Sequence, residues 1–215
     1  FDSDANVSPD RFLGAGQDGY PCLLLEAIAH NLARMSADVH REWTTGTPSY
    51  RELVFDAEHG NSYFESSAEF SARMLNNLYT SLQFIVDQKL LSPLGATPAE
   101  ASPRRAESWR SRRSLRNITL NLEAAESLYL TAYSAPLKAD RRNTGLDREI
   151  REAFSRALEA AHTIKEPLYD ALQSESGRQS VERLLTATSE LKRLLGGPLP
   201  AALGLSLGFN SLDGD

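Results

Sequence analysis

Two groups of charged side chains are the parts of this sequence best suited to chemistry, and their charges are opposite. Six arginines fall within thirteen residues, interrupted by Glu107 and Trp109; they are Arg104, Arg105, Arg110, Arg112, Arg113 and Arg116. Guanidinium groups bind carboxylates or phosphates through paired hydrogen bonds, and they stack on aromatic rings such as that of Trp109. The segment therefore predicts either a site for an anion or a set of ion pairs with acidic side chains of neighbouring helices.

The second group lies at the end of the chain. The last seventeen residues begin apolar and rich in glycine, and they finish with Asn210, Asp213 and Asp215. End segments usually fray, because they have too little apolar surface to offset the entropy of ordering. We therefore expect residues 203–209 to be buried and the two aspartates to face an arginine or N–H donors. The arginines described above are the natural partners.

Metal-ligand and nucleophile motifs are incomplete in this sequence. A zinc-protease helix needs His-Glu-x-x-His, and a di-iron bundle needs two Glu-x-x-His pairs. Glu159 and His162 form one such pair, but Glu26 and His30 are four residues apart, a spacing typical of helix-surface pairs. The sequence also lacks the Gly-x-Ser-x-Gly, P-loop and Gly-x-Gly-x-x-Gly patterns. No complete catalytic set is visible.

Composition excludes several classes of protein. The 215 residues carry a formal net charge of −6, which argues against a general nucleic-acid binder. One cysteine excludes an internal disulfide. No apolar run approaches the roughly 18 residues that a membrane span requires. A chain of this length is sufficient for one large core.

Apolar periodicity predicts an all-α protein. Apolar residues recur at three- and four-residue steps, with no convincing alternation of the kind that strands show. Residues 1–19 have no period and are rich in Gly, Asp and Ser, which predicts a loop. The long helices are predicted at about 21–43, 70–91, 111–133, 147–172 with a break at Pro167, and 180–195. We therefore expect a bundle of four or five long helices.

Three stretches resemble the imelysin family. They are Glu107-Ser108-Trp109-Arg110-Ser111 with Ser114-Leu115, the preceding Asp87-Gln88-Lys89-Leu90 with Pro93-Leu94-Gly95, and the terminal Leu203-Gly204, Gly208-Phe209-Asn210 and Asp213-Gly214-Asp215. The likeness extends from Tyr20 onward and corresponds to the second half of the family's usual length. It implies two packed helical bundles, with residues 1–19 a linker from a missing N-terminal half. Residues 20–215 would then be the C-terminal bundle with its docked tail.

The resemblance also implies a function. Imelysins are bacterial cell-envelope proteins, often lipoproteins or periplasmic, that are associated with iron regulation and were classified as metallopeptidases (peptidase M75). The family's Gly-x-His-x-x-Glu region would lie upstream of Phe1. We therefore expect a component of iron acquisition that binds a ligand or an envelope partner near the interface with the N-terminal half. Its site residues would be Glu107, Trp109, Arg110, Ser111, Arg113, Asn210, Asp213 and Asp215.

The alternative implied by the resemblance is a metallopeptidase. Its divalent metal or iron would be held mainly by the N-terminal half, with His30, His40 or His162 contributing at most one ligand.

Overall fold

The computed structural model describes residues 19–208, which contain helices and no β-strand. The prediction of an all-α helical protein is therefore confirmed for this part of the chain. The chain divides after Ser67 into two compact units, which are described separately. The sequence-based division into residues 1–19 and 20–215 stays a prediction.

The first unit contains a long helix and a short one. Helix α1 (Tyr20–Thr44) has Pro21 in its first turn, where the fixed φ angle of proline suits a helix. Helix α2 (Tyr50–Phe55) begins at a capping box in which Ser49 and Glu52 satisfy each other's backbone N–H groups. A 3₁₀ turn (Ala57–His59) follows. The Thr47–Pro48 peptide bond between the two helices is cis.

The apolar stripe of α1 is exposed along its whole length. No residue of this helix is buried. The stripe comprises Leu24, Ile28, Leu32, Met35 and Val39, which are between 45% and 58% exposed. An amphipathic helix of a globular protein normally turns such a stripe toward a core.

The second unit is a bundle of longer helices. Helix α3 (Ser67–Phe84) continues through a π-helical segment (Ile85–Leu91) into a last turn (Ser92–Leu94). After 3₁₀ turns at Pro98–Glu100 and Pro103–Arg105 come α4 (Ser114–Ala132), α5 (Ser134–Ala139) and a 3₁₀ turn at Arg141–Asn143. The remaining helices are α6 (Thr144–Thr163), α7 (Leu168–Ala171), α8 (Glu175–Gly196) and α9 (Pro198–Leu203).

The predicted boundaries hold with local exceptions. The chain breaks around Pro167 as expected, because a proline ring clashes with the carbonyl four residues earlier in a continuous helix. Helix α4 begins at Ser114, three residues later than predicted. Neither the π-helical segment nor the short α9 that follows Gly197 was predicted from the sequence.

The apolar stripes of α3, α4, α6 and α8 form one core. Helix α8 packs on α6, and α6 also contacts α4. The predicted stripe residues of α3 and α4 are buried there: Leu75, Leu78, Leu82, Ile85, Ile118, Leu122, Ala125 and Tyr129. Facing them are Ile150, Phe154 and Ala157 of α6 with Val181, Leu184 and Leu191 of α8. Full burial of such a side chain contributes about 1.5–3 kcal/mol, so this core is the main source of stability.

A buried guanidinium closes one end of the bundle. Arg178 of α8 is 7% exposed and donates hydrogen bonds to the carbonyl oxygens of Leu94 (2.6 Å) and Gly95 (3.1 Å). Its Nε lies 2.9 Å from a Glu182 carboxylate oxygen. Carbonyls at a helix C-terminus lack hydrogen-bond donors within the helix, and the Arg178 guanidinium donates to two of them.

A second polar network lies beside the core. The carboxylate of Asp147, 5% exposed, accepts hydrogen bonds from the hydroxyls of Tyr129 (2.8 Å) and Ser134 (2.6 Å). Arg151 Nε donates to its other oxygen at 2.9 Å. Burial raises the pKa of the Tyr129 hydroxyl well above its usual range, so this hydroxyl stays a donor. The network joins α4, α5 and α6.

We predict that Asp147→Ala destabilises the protein by about 2–4 kcal/mol, because it leaves buried donors without an acceptor. The measurement is the free energy of unfolding in urea. Glu123→Ala is the matched control, since Glu123 is an exposed acid on α4 and its loss should cost less than about 0.5 kcal/mol. Equal effects of the two substitutions would contradict the assigned role of Asp147.

The same carboxylate predicts a pH dependence. Burial alone would raise the pKa of Asp147, but hydrogen bonds from Ser134 and Tyr129 and the charges of Arg151 and Lys138 outweigh it and lower the pKa. A carboxyl whose pKa is lower in the folded state stabilises the fold above its unfolded pKa, and that contribution is lost as the pH falls through the folded value. The difference in unfolding free energy between the wild type and Asp147→Asn should therefore be largest above about pH 5 and shrink below about pH 4. A constant difference between pH 3 and pH 7 would contradict this.

Candidate functional site

Five of the residues predicted for the site lie on one irregular segment. Glu107, Trp109, Arg110, Ser111 and Arg113 fall between the 3₁₀ turn at Pro103–Arg105 and the start of α4. We call residues 104–116 the arginine segment. All six of its arginines are exposed. The segment thus presents several guanidinium groups to solvent on the surface of the second unit.

Trp109 is the centre of the segment. Its indole is half-buried against the core and stacks on the Tyr169 ring of α7, with centroids 5.7 Å apart and an interplanar angle of 21°. The guanidinium carbon of Arg110 lies 4.5 Å from the indole centroid, and that of Arg104 lies 5.7 Å from it. A guanidinium over an aromatic face is attracted by the ring quadrupole and keeps its N–H donors available at its edge. Trp109 therefore orients two cations.

Glu107 is held by a buried lysine. Lys89, in the π-helical segment, is 9% exposed, and its Nζ lies 2.7 Å from Glu107 Oε2 and 2.7 Å from Asn121 Oδ1. The hydrogen bond from Lys89 lowers the pKa of Glu107 despite the opposing effect of burial, with its charge and Asn117 adding to the lowering. The one carboxylate of the segment is thus committed to Lys89 and does not neutralise the arginines.

The second interpretation of the arginines, ion pairing with neighbouring helices, applies to part of the segment. Arg112 Nη1 lies 3.5 Å from Asp170 Oδ2 of α7. Among residues 19–208, no acidic side chain forms an ion pair with Arg105, Arg113 or Arg116. Ion pairing with a neighbouring helix therefore describes Arg112. The other three arginines have no ion pair within the described part of the chain, which is compatible with an anion site.

Hydrogen bonds fix the backbone of the segment. Ser108 and Arg112 both have φ of 57°, in the left-handed region that residues other than glycine rarely adopt. The Ser114 hydroxyl donates to the Glu107 carbonyl, and the Ser111 hydroxyl donates to the Ser108 carbonyl at 3.0 Å. Asn117 Nδ2 donates to Ser108 Oγ at 3.2 Å. This network holds the two strained residues in place, so the segment is preorganised.

The apolar part of the tail is half-buried. Leu203, Leu205 and Leu207 pack against the core of the second unit. The other predicted residues of the tail, Asn210, Asp213 and Asp215, lie outside the described residues. Their pairing with the arginine segment stays a prediction.

In the described part of the chain, histidines meet other potential metal ligands only in pairs. His30 Nε2 lies 3.5 Å from Glu26 Oε1, and both side chains are exposed, as expected for a helix-surface pair. Residues 19–208 contain no group of three or more His, Cys, Asp or Glu side chains placed to hold a metal ion. Nor do they contain a helix long and apolar enough to cross a bilayer.

Sequence reasoning missed two supports of the segment, Lys89 and Tyr169. Lys89 had a detectable signal, because it follows Ile85 by four residues and Val86 by three and so lies on a predicted apolar face. A lysine in that position needs a buried partner. Tyr169 had no such signal, since its stacking on Trp109 joins residues sixty positions apart in the sequence.

Comparison with known proteins identifies the family. The family model for imelysin (peptidase M75) matches residues 1–195. The chain belongs to the imelysin family. The match includes the whole arginine segment and most of α8.

A solved structure supports the fold of this imelysin-family chain. It is the crystal structure of an imelysin peptidase from Bacteroides ovatus, with a TM-score of 0.66 and 19% sequence identity. The alignment covers 77% of this chain and 49% of that one, so this chain spans about half the length of that protein. No curated protein matches the chain significantly.

We predict that backbone strain at Arg112 is measurable. Arg112→Gly and Arg112→Ala both remove the guanidinium, but only glycine adopts a φ of 57° without a steric penalty. Arg112→Gly should therefore be more stable than Arg112→Ala by about 1 kcal/mol in chemical unfolding. An alanine variant as stable as the glycine variant, or more stable, would show that the segment is not strained there.

Proposed function

We propose that this imelysin-family chain is part of a bacterial cell-envelope protein that takes part in iron acquisition by binding. Its arginine segment holds an anionic group, a carboxylate or phosphate, of a ligand or of an envelope partner. The observation that carries the proposal is the set of exposed guanidiniums arranged around the stacked Trp109. The envelope location and the link to iron rest on the family resemblance.

The charge balance of the segment supports anion binding. Glu107 is committed to Lys89 at 2.7 Å, so an incoming anion does not compete with it for the arginines. Arg110 lies close over Trp109, which limits its rotamers before any ligand arrives. A preorganised guanidinium loses less entropy on forming paired hydrogen bonds with a carboxylate or phosphate.

The exposed stripe of α1 supports a partner in the rest of the protein. The imelysin peptidase from Bacteroides ovatus extends well beyond the 49% of its length that aligns with this chain. In the protein as proposed, the N-terminal half packs on the stripe that includes Leu24, Ile28 and Leu32. Covering side chains that are 45% to 57% exposed would bury the largest apolar face on this helix.

A second candidate function is a metallopeptidase. The observation in its favour is the description of the matching crystal structure as a peptidase. In this alternative the metal is held mainly by residues of the N-terminal half. Stoichiometric metal and chelator-sensitive peptide hydrolysis by the longer protein would favour it over the binding function.

The binding proposal predicts the effect of removing two guanidiniums. In the double variant Arg110→Ala/Arg113→Ala, affinity for citrate, used as a carboxylate probe in calorimetry, should fall about 10- to 100-fold, because the hydrogen bonds of two exposed guanidiniums contribute about 0.5–1.5 kcal/mol each. Growth of the source bacterium under iron limitation should fall with it. The separate variant Asp213→Ala tests whether the tail contributes to citrate binding and to growth.

The control is Arg148→Ala/Arg183→Ala, which removes the same charge from exposed positions on α6 and α8. It should bind citrate like the wild type and support growth. The proposal is overturned if Arg110→Ala/Arg113→Ala retains both binding and growth, or if the control loses as much as the site variant. In the latter case net charge, and not the segment, sets the affinity.

A further inference from the structure

A cavity lined by aromatic rings lies within the first unit, away from the arginine segment in the sequence. It has a volume of about 480 Å³, which is in the range of small-molecule sites. Its lining includes Val39, Glu42 and Trp43 from the last turns of α1, together with Tyr50 and Tyr63. Neither the family nor the proposed function accounts for this cavity.

The Tyr50 ring stands at right angles to two other rings of the cavity. The Trp43 and Tyr50 ring centroids are 5.0 Å apart with an interplanar angle of 89°. The Tyr50 and Tyr63 centroids are 5.7 Å apart with an angle of 90°. Rings set perpendicular to Tyr50 on either hand offer both π faces and ring edges to a guest, and aromatic side chains recognise organic cations through such faces.

Local hydrogen bonds hold these rings in place. Tyr50 is the first residue of α2, and the Ser49–Glu52 capping box fixes the backbone there. The side chain of Asn61 donates to the Leu53 carbonyl at 2.8 Å and accepts from the Tyr63 backbone N–H at 2.9 Å. The walls of the cavity are therefore set before a ligand enters.

The charge of the cavity is negative. Glu42 is the one ionisable acid or base among its lining residues apart from the tyrosines, and among residues 19–208 it has no ion-pair partner. The cavity also lies at the C-terminal end of α1, where the helix dipole places partial negative charge. The neighbouring arginines are engaged elsewhere: Arg41 pairs with Asp38 at 2.6 Å, and Arg51 lies 5.5 Å from the Phe55 centroid.

We propose that this cavity is a binding site for an alkylammonium group, with Trp43, Tyr50 and Tyr63 surrounding the cation and Glu42 supplying the counter-charge. The cation belongs either to a small quaternary ammonium compound or to a lysine side chain. An apolar guest would contact the rings but would gain nothing from the negative charge of Glu42. The site is separate from the proposed anion site, so each can fail without the other.

The test uses the two tryptophans of the chain as reporters. Each gives one indole N–H signal in a ¹H–¹⁵N spectrum, and Trp43→Phe assigns them by removing one. Choline is titrated as the quaternary probe, Nα-acetyl-lysine methylamide as the lysine probe, and 3,3-dimethylbutan-1-ol as the neutral analogue of choline. We expect at least one cationic probe to shift the Trp43 signal saturably and to bind about tenfold more tightly than the neutral analogue, with the Trp109 signal unmoved.

Variants separate the charge from the rings. Glu42→Gln and Tyr63→Leu should each weaken the cationic probe about 3- to 10-fold, and Glu58→Gln, an exposed acid outside the cavity, should have no effect. Tighter binding of choline identifies a small quaternary ammonium compound as the source of the cation, and tighter binding of the lysine probe identifies a protein side chain. The proposal is overturned if neither cation binds, if the neutral analogue binds equally well, or if Glu42→Gln and Glu58→Gln behave alike.

Discussion

The ion pair between Lys89 and Glu107 connects the packed core of the second unit to its exposed arginine segment. Lys89 is buried, and its ammonium group contacts Glu107 and Asn121. A buried charge without partners is costly, so this contact constrains the path of the chain before α4. The same contact commits the one carboxylate of the segment. Arg110 is oriented by Trp109, and it lies on the surface with the other exposed arginines of the segment.

The helices of this chain have similar periodicity but different environments. Leu75, Leu82 and Ile118 are buried in the second unit, whereas Leu32 and Val39 of α1 are more than half exposed. An apolar stripe predicts that a helix has a packing face, but it does not identify what covers that face. In our proposal the N-terminal half of the protein covers the middle of α1, while the end of α1 contributes Glu42 and Trp43 to a cation site.

The all-α class, most helix positions and the clustering of Glu107, Trp109 and Arg110 could be predicted from the sequence. Apolar periodicity fixes a helix, and residues close in sequence remain close in space. The pairing of Trp109 with Tyr169 could not be predicted, because it depends on how α7 packs beside the arginine segment. The left-handed φ of Arg112 could not be predicted either, since arginine has no preference for that conformation. The aromatic cavity could not be predicted either. Its rings come from the end of α1, the start of α2 and the residues after the 3₁₀ turn, and their relative positions depend on the Ser49–Glu52 capping box and on Asn61.

Hydrogen–deuterium exchange of the free and citrate-bound protein is the most direct test of the central claim, that the arginine segment is a preorganised anion site. The account predicts that the amides of Trp109, Arg112 and Arg113 exchange slowly in the free protein, because their N–H groups donate hydrogen bonds to the carbonyls of Ala106, Trp109 and Ser108. Citrate should then slow exchange further in the same residues, and not in α6 or α8. Rapid exchange of this segment in the free protein, or protection by citrate that appears only elsewhere, would contradict the account.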